Sequence, residues 1–216
     1  HRPGGAVPPG PARAHPPGHG LGHRGGDLSG TAAVILAAGA GTRFEAGTDA
    51  AHKLLAPFRG HPVVWWAVSN AVAGGLDHTW VVTGAADLSD VLPAGARVIH
   101  NRRWEAGQAT SLQAALTEAR AAGLDAIVVG LGDQPLIAPE AWRAVAASGA
   151  HVAVATYDGR RRNPVRLAAA VWDLLAPEGD EGARSLMRGR PDLVQEVPCR
   201  GEPVDIDTRE DLQRWS

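Results

Sequence analysis

Runs of aliphatic residues alternate with helical patterns along the chain from Thr31 onward. The aliphatic runs are continuous rather than broken by a polar residue at every second position, which is typical of strands buried on both faces. They predict strands at residues 33–36, 80–83, 97–100, 126–131 and 152–156. Apolar residues at spacings of three and four predict helices at residues 62–73, 110–122 and 139–147. This alternation predicts right-handed β-α-β units and a mainly parallel sheet with helices on both faces.

The C-terminal third follows a different pattern. Short strand-like segments at residues 163–167, 193–198 and 202–205 alternate with helical patterns at residues 168–175, 180–187 and 208–215. Thr208 and Asp211 have the spacing of a capping box at the start of the last helix. We expect this section to add antiparallel edge strands to the sheet rather than to form a second domain.

Glycine and proline are concentrated at the amino-terminal end of the chain. Residues 1–30 contain nine glycines and six prolines, with Val7, Leu21 and Leu28 as their only large aliphatic residues. A segment with so little to bury does not offset a backbone ordering cost of about 1–2 kcal/mol per residue. The sequence therefore predicts a disordered tail over residues 1–30 and one domain over residues 31–216.

Charge and cysteine content exclude several classes of protein. The formal net charge is −2, which gives no global attraction to nucleic acid. Cys199 is the only cysteine, so an intramolecular disulfide and a cysteine-based zinc site are excluded. No apolar run approaches the roughly 20 residues of a membrane span. We expect a cytoplasmic protein that binds neither nucleic acid nor membrane.

A turn rich in small residues follows the first predicted strand. Its residues are Leu36, Ala37, Ala38, Gly39, Ala40, Gly41, Thr42 and Arg43. Small residues let backbone N–H groups approach an anion, and Arg43 and the later Lys53 can neutralise phosphate charge. Neither a Walker loop nor a complete dinucleotide fingerprint is present. A phosphate site and a tight turn with solvated charges both remain compatible with this pattern.

Aspartates follow a predicted central strand and recur near the C-terminus. Asp133 comes directly after the strand at residues 126–131, where ligands of open α/β sheets bind. A carboxylate there suits Mg²⁺, although Asp133 could instead cap the next turn. Asp205 and Asp207 would share a face of an extended segment. One of them would complete a metal site while the other caps the final helix, or both are capping or turn residues.

Two further polar segments suit substrate contacts. Gly107, Gln108, Thr110 and Ser111 enter a predicted helix and offer groups for a base or ribose, with helix capping by Thr110 as the alternative. The basic run at residues 160–162 precedes Asn163 and suits a second anionic substrate or a solvated loop. Further along, Asp180 has the position of a helix cap, and Arg184 lies one turn into that helix.

These segments together resemble the nucleotidyltransferases of molybdenum cofactor synthesis, most closely the molybdenum cofactor cytidylyltransferases. In order, the motifs are Leu36-Ala37-Ala38-Gly39 with Arg43 and Lys53, Gly107-Gln108 with Ser111-Leu112, Gly132-Asp133 with Pro135, Asn163-Pro164-Val165, Gly179-Asp180 with Gly182-Ala183-Arg184, and Asp205-Ile206-Asp207-Thr208. Asn163 stands where a histidine is common in the family. The resemblance covers residues 31–216 and implies a three-layer α/β/α Rossmann-like nucleotide-diphospho-sugar transferase fold.

The resemblance also implies a role for each motif. Arg43, Lys53 and Asp133 would be catalytic, and Asp133 with Asp207 or Asp205 would hold Mg²⁺. Residues that would bind the nucleotide are Leu36, Ala37, Ala38, Gly39, Ala40, Gly41, Gly107, Gln108 and Ser111. Residues that would face a pterin acceptor are Asn163, Pro164, Asp180 and Arg184.

The implied activity is Mg²⁺-dependent transfer of a nucleoside monophosphate, CMP from CTP in the closest branch, to the terminal phosphate of the molybdopterin cofactor. Pyrophosphate is released, and the anionic acceptor phosphate needs no general base. GTP as the donor and another phosphorylated acceptor, such as phospholactate or a sugar phosphate, are alternatives. A non-catalytic protein that binds the molybdenum cofactor for maturation is another. The resemblance further implies transient contact with a molybdoenzyme or its maturation factor.

Overall fold

The computed structural model describes residue 1, residues 30–41 and residues 52–216. Most of the predicted tail (residues 2–29) and Arg43 therefore lie outside the described residues. The strands within the described parts are β1 (Thr31–Ala37), β2 (Pro57–Phe58), β3 (His61–Pro62), β4 (His78–Thr83), β5 (Ala96–His100), β6 (Ala126–Leu131), β7 (Val152–Tyr157), β8 (Arg160–Ala168) and β9 (Val194–Pro198). The α-helices there are α1 (Val63–Ala73), α2 (Gln108–Ala121), α3 (Pro139–Ala146), α4 (Arg184–Gly189) and α5 (Arg209–Trp215).

Seven strands form one sheet in the order β5-β4-β1-β6-β8-β7-β9. The pairs β5–β4, β4–β1, β1–β6 and β7–β9 are parallel, whereas β8 is antiparallel to both β6 and β7. The mainly parallel sheet is confirmed. The antiparallel addition from the C-terminal third is confirmed too, since β8 is that strand; only its expected edge position is wrong, because β8 lies inside the sheet and the edge strand β9 runs parallel to its neighbour.

Helices cover both faces of the sheet and make three layers. Alternate residues of β1 point to opposite sides: Val34 joins a core with Leu112 and Leu116 of α2, and Ile35 joins a core with Val64 of α1 and Trp142 of α3. Every residue of β1 is buried. Because both faces of the central strands are covered, their sequences are continuous aliphatic runs. The three-layer α/β/α Rossmann-like fold is confirmed.

Several C-terminal elements differ from the predicted ones. The segment at residues 202–205 is not a strand, since Pro203 has no N–H for a ladder and Val204 N instead donates to Glu202 O at 2.8 Å. The helix predicted from Asp180 begins only at Arg184, because Gly182 has a left-handed backbone (φ +52°). Ala183 precedes this helix, so Asp180 is not its cap. The helix predicted at residues 168–175 is a 3₁₀ helix, Ala169–Leu174.

The predicted capping box at the start of α5 is present. The Thr208 hydroxyl accepts from Asp211 N at 3.1 Å, and an Asp211 carboxylate oxygen accepts from Thr208 N at 2.9 Å. These bonds satisfy backbone donors that the first turn leaves without a helical partner.

Thr208→Ala is expected to lower the free energy of unfolding by about 1 kcal/mol, because the cap is lost. Urea denaturation measures the change. Thr117→Ala is the control, since the exposed Thr117 hydroxyl donates only to Gln113 O of its own helix. Equal losses in the two variants would contradict a role for the cap.

Within the part of the chain that the structure describes, no helix has the length and apolar character needed to cross a membrane.

Candidate active site

The site lies at the edge of the sheet where β1 and β6 end. Gly132 N donates to Leu36 O at 3.0 Å, which ties the residue after β6 to the end of β1. Ile206 N donates to Asp133 O at 2.9 Å, so the segment before α5 is fixed beside β6. The motifs that follow these strands therefore meet at the carboxyl edge, where open α/β sheets bind ligands.

Lys53 joins two of the predicted aspartates. Its Nζ donates to Asp133 Oδ2 at 2.6 Å and to Asp207 Oδ1 at 2.9 Å. The side chains of Lys53 and Asp133 are 14% and 17% exposed. Burial alone would lower the pKa of the Lys53 ammonium, but the charges and hydrogen bonds of the two carboxylates raise it above its ordinary value. Lys53 is therefore a fixed positive charge at neutral pH.

The pair Asp133 and Asp207 fits a divalent cation that substrate helps to hold. Asp133 Oδ1 is buried and receives no hydrogen bond within the described structure. No group of three or more His, Cys, Asp or Glu side chains in the described ranges could hold a metal ion. Mg²⁺ commonly uses one or two carboxylates together with substrate phosphates, so a two-carboxylate site matches this chemistry.

Asp205 has different partners from Asp207. Its Oδ1 accepts from Gln134 Nε2 at 2.8 Å, and Gln134 Oε1 accepts from Asn163 Nδ2 at 2.9 Å. Partial desolvation raises the pKa of the Asp205 carboxyl, although the bond from Gln134 opposes this shift.

The expected strand geometry of Asp205 and Asp207 is wrong, because their segment is not a strand. The capping alternative is wrong too, since Thr208 caps α5.

A first cavity of about 390 Å³ brings together the nucleotide-binding candidates. Its lining includes Leu36, Ala37, Ala38, Gly39, Gly41, Lys53, Gly107, Gln108, Ser111, Asp133 and Asp180. Ala40 belongs to the same turn and is half-buried. His52, which sequence reasoning missed, anchors this turn: its Nδ1 accepts from Leu54 N, so Nε2 is the nitrogen that donates to Gly39 O at 2.8 Å.

The start of α2 is held by the loop that contains Gly179. Ala109 N donates to Gly179 O at 2.8 Å, and Gly179 N donates to Ala106 O at 3.1 Å. Gly107 has a φ of +101°, and a Cβ there would lie 2.6 Å from Gly179 O. Because Gly107 has no side chain, the Gly179 backbone can pack against it, and Gly107 also lines the first cavity.

Thr110 lies inside α2 rather than at its cap, so the capping alternative for this residue is wrong. The helix begins at Gln108, and the Thr110 hydroxyl donates to Gly107 O at 2.8 Å. The buried Asn101 side chain donates to Thr110 Oγ1 and to Ser111 Oγ at 2.9 and 3.0 Å. Asn101 therefore orients the Ser111 hydroxyl in the cavity wall.

Gly107→Ala is expected to lower the free energy of unfolding by at least about 2 kcal/mol, from left-handed strain and the clash with Gly179. Gly123→Ala is the matched control, because Gly123 also has a positive φ (+67°) but a methyl group added there would meet no atom within 4 Å. We expect it to lose only about 1 kcal/mol. Urea denaturation compares the two, and equal losses would contradict the tight contact.

A second cavity of about 550 Å³ adjoins the first. The two share Leu36, Gln108 and Leu131 in their walls. The polar residues that line the second include Gln134, Arg161, Arg162, Asn163, Glu181, Arg184, Arg188 and Asp205. Of the predicted acceptor residues, Asn163 and Arg184 line this cavity, Asp180 lines the first, and Pro164 is buried in β8.

Two arginines of the second cavity lack an ion-pair partner. Arg161 pairs with Glu196 at 2.8 Å, and Arg188 pairs with Glu181 at 2.5 Å. Among the residues that the structure describes, no ion pair reaches Arg162 or Arg184. Their guanidinium groups are exposed, so the cavity presents positive charge that an anionic ligand can pair with.

Curated relatives match most of this chain. A protein of Paenarthrobacter nicotinovorans named nicotine blue oxidoreductase is 30% identical over 204 residues, which are 87% of this chain and 97% of the relative. The purine catabolism protein PucB of Bacillus subtilis (strain 168) is 30% identical over 193 residues, 82% of this chain and 92% of the relative.

Solved structures show the same architecture. A nucleotidyl transferase from Methanothermobacter thermautotroptrophicus superposes with a TM-score of 0.73 at 28% identity, over 86% of this chain and 95% of that one. Rv0371C of Mycobacterium tuberculosis H37Rv, solved in complex with manganese, has a TM-score of 0.70 at 26% identity, over 87% and 98% of the two chains.

The family described as the MobA-like NTP transferase domain matches residues 33–197, which include the turn after β1, Lys53, Asp133 and Asn163. The resemblance inferred from the motifs is therefore confirmed at the level of the family. This protein belongs to the MobA-like NTP transferases and is a nucleotidyltransferase.

Proposed function

We propose that this nucleotidyltransferase transfers CMP from CTP to the terminal phosphate of the molybdopterin cofactor and releases pyrophosphate. The observation that carries the proposal is the pair of cavities with a common wall at Leu36, Gln108 and Leu131. One cavity has the features of a triphosphate site, and the other has exposed positive charge. A donor and an anionic acceptor bound in them would meet at that wall.

The nucleotide would occupy the first cavity. Its triphosphate would lie against the turn at residues 36–41, where small residues expose backbone N–H groups, and beside the Lys53 ammonium. Gln108 and the Ser111 hydroxyl would contact the base or ribose. Arg43, by its resemblance to the family motif, would add a second positive charge.

Asp133 and Asp207 would hold Mg²⁺. The buried Oδ1 of Asp133, which lacks a donor within the described structure, supports this assignment. The chemistry that Mg²⁺ supplies in such a site is Lewis-acid stabilisation of charge on phosphate oxygens. The relative crystallised with manganese is consistent with a divalent cation in this fold.

The reaction is a direct displacement at phosphorus. An oxygen of the acceptor phosphate forms a bond to the α-phosphorus of CTP, the bond from that phosphorus to the β-bridging oxygen breaks, and pyrophosphate leaves with the electron pair. The attacking phosphate is already ionised at neutral pH, since its second pKa is about 6. The protein's part is to position both phosphates and to neutralise their charge with Lys53.

The acceptor would occupy the second cavity. Arg162 and Arg184 are exposed there without ion-pair partners in the described residues, which suits the phosphate of the acceptor. The apolar residues Leu112, Val129 and Val165 also line the cavity and suit a flat ring system. A phosphorylated pterin combines these two properties.

A substrate panel tests the proposal. Pyrophosphate release is measured with Mg²⁺, molybdopterin and each of CTP, GTP, ATP and UTP, and thermal shifts with each nucleotide report binding. We expect release and stabilisation with CTP. Phospholactate and a sugar phosphate replace molybdopterin in parallel reactions. Activity with one of these instead would refute the pterin acceptor, and a response to no nucleotide would favour a non-catalytic binding protein.

A further inference from the structure

A chain of side-chain hydrogen bonds links three residues of the second cavity. Asn163 Nδ2 donates to Gln134 Oε1 at 2.9 Å, and Gln134 Nε2 donates to Asp205 Oδ1 at 2.8 Å. Gln134 is only 3% exposed, whereas Asp205 is open to the cavity. The glutamine is therefore a buried link between two cavity-lining groups.

The contacts fix the direction of this chain. Gln134 turns its NH₂ group towards Asp205 Oδ1 and its carbonyl oxygen towards Asn163. Asn163 must then present its own NH₂ group to Gln134. This orientation leaves Asn163 Oδ1 and Asp205 Oδ2 as acceptors, and no donor within the described part of the chain bonds to either.

A bulge in β8 holds Asn163 in place. Val154 pairs with Val165, while the next residue, Ala155, pairs with Arg162, so Asn163 and Pro164 have no opposite residues. Bulges re-aim side chains next to functional sites. Asn163 has no pairing partner on β7, and its side chain instead contacts Gln134, which follows β6, the other neighbour of β8.

Two acceptors at one end of a cavity select a ligand edge that carries donors. The 2-amino group and the ring N–H of a 2-amino-4-oxopyrimidine ring present two adjacent donors, which match a carboxylate and an amide oxygen. Arg162 and Arg184 would neutralise an anionic group elsewhere on the same ligand.

We propose that Asp205 and Asn163, aligned by the buried Gln134, recognise the 2-amino-4-oxopyrimidine edge of the acceptor and so set its specificity. Gln134 is a positioning residue, because it acts through the other two. The inference rests on the proposed function for its pterin acceptor, and it adds which residues discriminate that ring from rings with the same shape.

Two fluorescent probes that differ only at this edge test the inference. They are the 6-hydroxymethyl phosphate esters of pterin and of lumazine, in which an oxo group replaces the 2-amino group. Fluorescence titration gives Kd for each. We expect the wild-type protein to bind the pterin probe at least about tenfold more tightly, because the lumazine oxygen would face the Asp205 carboxylate.

Variants of the hydrogen-bonded residues test whether they cause the difference in Kd between the two probes. Gln134→Met and Asp205→Asn are expected to bring the ratio of the two Kd values close to one. Gln113→Met is the control, since the half-buried Gln113 donates to Leu175 O and Ala176 O outside both cavities. The thermal shift with CTP should stay unchanged in all three, because none of these residues lines the first cavity.

Three results would overturn the inference: equal wild-type affinities, binding of neither probe, or a ratio that survives in Gln134→Met and Asp205→Asn. Transfer to molybdopterin separates such a failure from failure of the proposed function. Conversion of molybdopterin with equal probe affinities would refute only the recognition by Asp205 and Asn163. A retained preference for the pterin probe without conversion would refute only the transfer.

Discussion

Asp133→Asn is expected to lower kcat for nucleotidyl transfer by about 10³-fold. The substitution keeps the shape of the side chain but removes the negative charge that would hold the divalent cation, and an amide is a weaker metal ligand than a carboxylate. It also deprives Lys53 of the closer of its two carboxylate partners, at 2.6 Å. The loss should therefore fall on kcat and on metal affinity together.

Pyrophosphate release measures kcat, and electron paramagnetic resonance of Mn²⁺ in the presence of CTP measures metal affinity. Asp173→Asn is the control, because the Asp173 side chain is 93% exposed and pairs only with Arg120. Circular dichroism verifies that both variants fold. An Asp133→Asn protein with wild-type kcat and Mn²⁺ affinity would refute the metal assignment.

Lys53→Met is expected to lower kcat by about 10²-fold and the free energy of unfolding by about 3 kcal/mol. The activity falls because the positive charge beside the triphosphate is lost. The stability falls because Asp133 and Asp207, which Lys53 joins at 2.6 and 2.9 Å, would face each other without their shared counter-ion. Pyrophosphate release and urea denaturation measure the two effects.

Lys53→Arg separates charge from position. The guanidinium group keeps the positive charge but is larger and planar, so it does not occupy the place of a compact ammonium. We expect this variant to recover most of the stability and only part of kcat. Full recovery of kcat would mean that charge alone matters, and wild-type kcat in Lys53→Met would exclude Lys53 from the reaction.

The sheet was predictable where burial acts on every residue of a strand. The strand predicted at residues 126–131 coincides with β6, because both faces of this strand are covered and five of its six residues are buried. The position of β8 was not predictable in the same way. Its neighbours β6 and β7 are chosen by pairing between distant segments, and no local pattern encodes that choice.

The site shows the same limit. The predicted residues that line the first cavity are named directly by the sequence motifs: Leu36, Ala37, Ala38, Gly39, Gly41, Lys53 and Asp133. Gln134 was missed, since its bonds reach residues 29 and 71 positions away. For Lys53, composition was a second signal besides its motif, because it is the only lysine among the 21 residues counted as Lys and Arg. A lone ammonium in an arginine-rich chain marks a position where a compact charge suits the chemistry.

The reversed direction of β8 has a consequence for how such enzymes diversify. The proposed donor half of the site comes from the ends of β1 and β6, whereas Asn163, in the proposed acceptor half, comes from the beginning of β8, just after the hairpin that joins β7 to β8. Changes in the length or composition of this hairpin alter the acceptor half and leave the strand ends untouched. Of the three residues proposed to set acceptor specificity, Asn163 can thus change independently of the strand ends, and exchanging residues 158–164 between relatives would measure how much of the preference this segment carries while Gln134 and Asp205 stay in place.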